Sequence, residues 1–187
     1  NCHKFPADHF VKSKLSLPTV IDSCADCFKK LKEFLPDLNI ILTVSPVRHI
    51  KDGIIENQRS KATLILAAEA LCDRFDFVEY FPAYELIMDD LRDYRFYDAD
   101  LIHPNDQAIT YIWQYFEERY FTAETKHIIK EVQTIKSALA HRAINPHSDN
   151  YKSFVINNIS KIQLLKAKFP FLHFDNELNE LNNRITS

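Results

Sequence analysis

Glycine is nearly absent: the 187 residues hold Gly 1, at Gly53, where ordinary usage is about 7%. Phosphate cradles and the tight βα turns of dinucleotide-binding folds are built on glycine. A GxGxxG fingerprint and a Walker A loop are therefore both excluded. Cysteine is scarce as well, and Cys 4 over this length is too few for a disulfide scaffold, so a reducing, cytoplasmic compartment is the expectation. The longest apolar stretch, Leu38 to Val47, is far short of the roughly 18 residues that span a bilayer. No basic-then-apolar leader opens the sequence. An excess of one charge is also missing: Lys+Arg 23 against Asp+Glu 26 leaves a net charge of -3, too even a balance for the basic footprint that phosphate backbones demand. Nucleic acid is not an expected partner, and no membrane span is expected.

What is present is organised by helical periodicity. At roughly 150 residues per domain the length suggests one domain with an appendage. The opening to Leu17 has no sustained period and reads as irregular. Ser16 before Pro18 marks a helix start, after which Val20, Ile21, Cys24, Cys27, Phe28, Leu31, Phe34 and Leu35 repeat at helical spacing as far as Pro36. Cys24-Ala25-Asp26-Cys27 has the form of a redox or zinc CxxC. Both sulfurs fall on that stripe, however, and no second Cys pair or histidine sits at ligand spacing, so a buried, inert pair is expected.

Leu38 to Val44 is a short apolar, β-branched run ended by Ser45-Pro46, the pattern of a buried parallel strand. Ala62, Leu64, Ile65, Ala68, Leu71 and Cys72 mark a helix, and Phe75 to Phe81 alternates as a second strand stopped by Pro82. Strand, helix and strand within about 40 residues predict a βαβ unit, whose carboxyl strand ends face a functional crevice. Glu85 to Leu91 predicts a further short helix. Asn105 starts a helix with Ile109, Ile112, Trp113, Phe116 and Tyr120 as its core face. Composition changes after Phe121: three helical patterns, through Ile135, through Ile162 and through Leu181, predict an all-helical extension over 122–187 beside an α/β domain over 1–121.

Asp100 and His103, three apart and followed by Pro104, are the pair best suited to chemistry. A carboxylate that accepts from one imidazole nitrogen fixes the tautomer and leaves the other nitrogen to take a proton. Ser45, at a strand end with His49 nearby, is read as capping backbone or lining the crevice. Arg48, His49, Arg92 and Arg95 could grip an anionic or sugar group, or could clamp the aromatic residues beside them.

Asp-Leu-Ile-His-Pro ahead of an amphipathic helix resembles the last block of the SGNH (GDSL-like) hydrolases. The match is closer still in Thr43-Val44-Ser45-Pro46-Val47-Arg48-His49, Lys51-Asp52-Gly53, Phe81-Pro82-Ala83-Tyr84-Glu85 and Leu91-Arg92-Asp93-Tyr94-Arg95-Phe96-Tyr97. These segments, with His141-Arg142 and Ser148-x-x-Tyr151 in the tail, resemble the GSCFA family of bacterial proteins, a branch of that superfamily, over nearly the whole chain. The resemblance implies a three-layer α/β/α, flavodoxin-like parallel sheet and a serine ester hydrolase acting through an acyl-enzyme, with a small-molecule or glycan acyl ester as substrate. It implies neither a metal nor an organic cofactor. It aligns Asp100 with the orienting acid, His103 with the general base, and Asn1 with an oxyanion-hole asparagine; Ser45, Arg48, His49 and Arg95 become candidates for substrate binding. The family's Gly-Ser-Cys-Phe-Ala segment, which carries the nucleophile, does not occur in these residues, and the sequence looks like the C-terminal two thirds of a member. The rival expectation is a non-catalytic module that keeps the fold and holds a glycan or a protein in the crevice.

Overall fold

A computed structural model describes residues 5–11, 13–141, 145 and 148–186. The chain divides into two compact units, Asn1–Arg119 and Tyr120–Ser187.

In the first unit, helix α1 (Leu17–Phe34) begins where Ser16 Oγ accepts from the Thr19 amide at 3.3 Å, with proline in the first turn. A hydroxyl there satisfies one of the amides that the first helical turn leaves without a carbonyl. Strand β1 (Ile40–Leu42), helix α2 (Ile54–Arg74) and strand β2 (Val78–Tyr80) follow. The strands are parallel and pair Ile40 with Val78 and Leu42 with Tyr80, so the βαβ unit is present. Each strand is three residues long, shorter than the apolar runs that announce it. Pro46 and Pro82 have no N–H with which to continue a ladder, and Phe75 is occupied in closing α2 through its amide to Leu71 O at 3.1 Å. Among the described residues the sheet has two strands, and helices predominate in an α/β fold.

Gly53 enters α2 at φ +87°, a conformation that a side chain would strain. After β2, a one-turn helix α3 (Ala83–Glu85) runs into a π-helical turn over Leu86–Asp90. The Leu91 amide closes that turn by donating to Leu86 O at 2.9 Å. Helix α4 (Asp106–Tyr120) completes the unit. Ile87, Leu91, Phe96, Tyr97 and Ala108 form a core cluster, with Ala108 fully enclosed.

Two sequence expectations about faces, on α1 and α4, are corrected here. Cys24 is only half-buried and Cys27 is exposed. The single buried residue of α1 is Ala25, because the small side chain lets α1 lie close on α2 and turns the cysteines toward the margin. On α4 the fully buried residue is Ala108; Ile112 packs half-buried against the same cluster and Phe116 against Phe81, as the sequence predicts, whereas Ile109 and Trp113 are exposed. On α2 the buried stripe is Asn57, Lys61, Ala67, Ala68 and Leu71, while Leu64 is exposed.

In the second unit, α5 (Ala123–Ala140), α6 (Asp149–Lys168) and α7 (Asp175–Thr186) enclose one core. Ile135, Val155, Ile162 and Leu181 are fully buried there, and Phe169 and Phe174 pack with them. Thr122 and Ser148 cap α5 and α6 by accepting from the Thr125 and Tyr151 amides. No helix among the described residues is long and apolar enough to cross a membrane.

Candidate active site

Between Phe96 and Asn105 the chain folds back on itself. The Asn105 amide donates to Phe96 O at 3.0 Å, the Asp98 amide to His103 O at 2.8 Å, and Tyr97 bridges Pro104 in antiparallel sense. Asn105 locks both sides: its Nδ2 donates to Arg95 O at 2.7 Å, and its Oδ1 accepts the Ala108 amide at 3.1 Å as the cap of α4. At the tip, Leu101 stands at φ +57°, a left-handed conformation that costs an L side chain roughly 1–2 kcal/mol. Strained backbone of this kind persists only where neighbouring contacts hold it.

Those contacts converge on Asp100. Its Oδ1 accepts the Ile102 amide at 2.8 Å and the His103 amide at 3.0 Å, and its Oδ2 lies 2.6 Å from His103 Nδ1. The imidazole hydrogen bond, seconded by the two amides, holds the Asp100 carboxyl down to about 2. An ionised carboxylate only accepts, so Nδ1 carries the hydrogen, and in the neutral form of the ring the lone pair is on Nε2. Nε2 has no hydrogen-bond partner among the described residues, and both side chains are partly open to solvent.

Arg48 pins this loop to the segment that follows β1. Its amide donates to Ile102 O at 3.2 Å and its guanidinium to Leu101 O at 3.0 Å. The guanidinium also lies over the Tyr97 ring at 4.5 Å and the Tyr94 ring at 5.5 Å. Arg48 thus holds the carbonyls of Leu101 and of the residue after it, contacts that help keep the left-handed Leu101 in place.

The other sequence candidates lie apart from the pair. Ser45 Oγ accepts the Val47 amide at 3.2 Å, which is a turn contact. The His49 amide donates to Asn57 Oδ1 at 2.8 Å, and its ring Nδ1 lies 3.4 Å from Asp52 Oδ2. The Arg95 guanidinium covers the Phe96 ring at 4.8 Å. None of the three bonds to the Asp100 or His103 side chain among the described residues. Arg92 pairs with Asp89 at 3.0 Å. Asn1 lies outside the described residues.

Two polar residues of the crevice were not singled out from the sequence. Lys61, only 8% exposed, donates its ammonium to Ser45 O, and burial lowers its pKa. Asn57, also 8% exposed, holds the His49 backbone. Their signal was readable, because Asn57, Lys61 and Ala68 share one helical stripe, and a polar residue in register with core positions marks a buried polar role. Nearby, Tyr80 Oη donates to both Glu85 carboxylate oxygens at 3.0 Å, and burial followed by that carboxylate raises the phenol pKa. No cluster of three or more potential metal ligands occurs among the described residues.

Comparison with known proteins gives two matches in tandem. The model of the GSCFA family matches residues 1–116, a stretch that includes Asp100 and His103, and the model described as GSCFA domain protein, C-terminal domain, matches residues 132–187. No curated protein and no solved structure matches the chain.

Proposed function

Because the chain belongs to the GSCFA family, we propose that its site is the acid/base half of an SGNH-type ester hydrolase, set in the three-layer, flavodoxin-like arrangement of that superfamily. The observation that carries this reading is the 2.6 Å contact from Asp100 Oδ2 to His103 Nδ1 with Nε2 left free. In the reaction, a serine oxygen attacks the acyl carbon while His103 Nε2 accepts the hydroxyl proton. Asp100 holds the ring in the required tautomer and stabilises the imidazolium. The carbon–alkoxide bond then breaks, and the departing oxygen takes the proton from Nε2, leaving an acyl-enzyme. Water repeats the cycle and releases the acid. A carbohydrate O-acyl ester is the substrate class we take by analogy within the superfamily.

The reading requires a serine at Nε2, and the family's namesake segment is its source. The test uses a GSCFA protein that has both that segment and this site. His103→Ala should lower the rate of 4-nitrophenyl acetate hydrolysis by about 10³-fold or more, while Tm moves by less than about 3 °C because the ring is largely exposed. Unchanged turnover would remove the assignment. One observation favours the second reading, a glycan- or protein-binding module: no hydroxyl or thiol bonds to Nε2 among the described residues. Saturable glycan binding with no turnover in the serine-bearing protein would select it.

A further inference from the structure

The crevice beyond β1 widens into a groove of about 500 Å³ whose lining includes Arg48, Asn57, Lys61, Tyr84 and Tyr94. Its charge is lopsided. Arg59, also on the lining, is matched by Glu56, but neither Lys61 nor Arg48 has a carboxylate partner among the described residues. Lys61 is the more unusual of the two. An ammonium has three donors, and Lys61 directs one bond to a protein acceptor, Ser45 O. The Tyr84 ring lies 6.0 Å from it. Removing a cation from water without a counter-ion is costly. An anion in the groove would supply the counter-charge that the protein does not.

We propose that this groove is an anion subsite, in which Lys61 and Arg48 receive a phosphate or carboxylate group carried by the ester substrate. The substrate-borne source rests on the hydrolase reading; the anion site does not. Arg48 ties the two places together, since the same guanidinium lines the groove and holds Leu101 O in the loop of Asp100 and His103. Lys61 is a binding residue in this scheme, and Arg48 both binds and positions. The tyrosines add faces on which the body of a ligand can stack.

The test follows lysine side-chain methylene signals by NMR on this chain while inorganic phosphate, monomethyl succinate or its neutral counterpart methyl butyrate is added at constant ionic strength. The Lys61 signal should move saturably with phosphate and with monomethyl succinate, more tightly with the latter, and stay still with methyl butyrate. In Lys61→Gln, phosphate affinity measured by calorimetry should fall about 10- to 100-fold, as expected for a lost charge-assisted hydrogen bond. Lys61→Arg should keep most of it, and Lys51→Gln, on the exposed turn before α2, should change it less than about twofold. Should Lys61→Gln fail to fold, the wild-type titration decides alone. Shifts confined to exposed lysines would overturn the anion site. Phosphate binding without binding of monomethyl succinate would overturn the substrate-borne source. If the serine-bearing homologue proves inactive while Lys61 still binds phosphate, the hydrolase reading fails and the subsite stands.

Discussion

The two units solve different problems with the same helical vocabulary. The second, Tyr120–Ser187, encloses one cluster of large aliphatic side chains completely, with Ile135, Val155, Ile162 and Leu181 each at 1% exposure or less, while Ile156 and Leu164 stay on its surface. The first, Asn1–Arg119, leaves Phe34, Ile54, Ile109 and Trp113 exposed, yet encloses Asn57 and Lys61 and strains Leu101. One unit spends its sequence on packing. The other also holds polar groups at set positions, and the Asp100–His103 pair belongs to it.

The largest expected effect breaks the packed unit. Ile162→Ala should destabilise it by about 2–5 kcal/mol, with hydrogen-exchange protection lost over 123–186 and retained by the Asn105 amide. Next is Arg184→Met. Its guanidinium donates to Leu139 O at 2.6 Å and pairs with Glu180 at 2.5 Å, so it covers the carbonyls at the end of α5, and chemical denaturation should register a loss of about 1–3 kcal/mol.

In the site-bearing unit the effects on stability shrink and those on local order grow. Asn105→Ala removes the cap of α4 and the tie to Arg95 O, and should cost about 1 kcal/mol, with faster exchange at the Ala108 amide. Leu101→Gly should change stability by less than about 1 kcal/mol, since relief at φ +57° offsets the extra freedom of the unfolded chain. A loss well above that would mean the Leu101 side chain, and not its backbone, holds the tip.

How much of this was legible in the sequence follows the same division. The helices of 122–187 were readable because periodicity and burial coincide there: the stripes through Ile135, Ile162 and Leu181 land on the core. In the first unit the βαβ order was readable, but strand lengths were not, and helix faces only in part, because the fully buried residues of α1 and α4 are the small Ala25 and Ala108. A small residue at a close approach looks unremarkable in a hydropathy pattern. Asp100 and His103 were visible by spacing and family resemblance. The grip of Arg48 on Leu101 O crosses 53 positions, and a long-range carbonyl contact has no local signature. Lys61 had one, its register with Ala68, but a lysine on a helix ordinarily reads as solvated.

The smallest expected effect concerns protonation. Asp100 is depressed from 3.8 to about 2, so its ionised form is favoured by the folded loop. The stabilisation this gives is complete above the ordinary carboxyl range and is lost as pH falls from near 4 toward 2. A carbon-13 titration of the Asp100 carboxyl should find its midpoint in that depressed range, and His103→Ala should move it back toward 3.8, since the imidazole is the leading cause.

The central claim is that Asp100 fixes the His103 ring with Nε2 bare. Nitrogen-15 NMR of the His103 imidazole, at a pH where the ring is neutral, tests this most directly. The account predicts a single dominant tautomer with hydrogen on Nδ1 and an unprotonated Nε2, and loss of that preference in Asp100→Ala. A ring protonated at Nε2, or one averaging between tautomers with Asp100 intact, would contradict it.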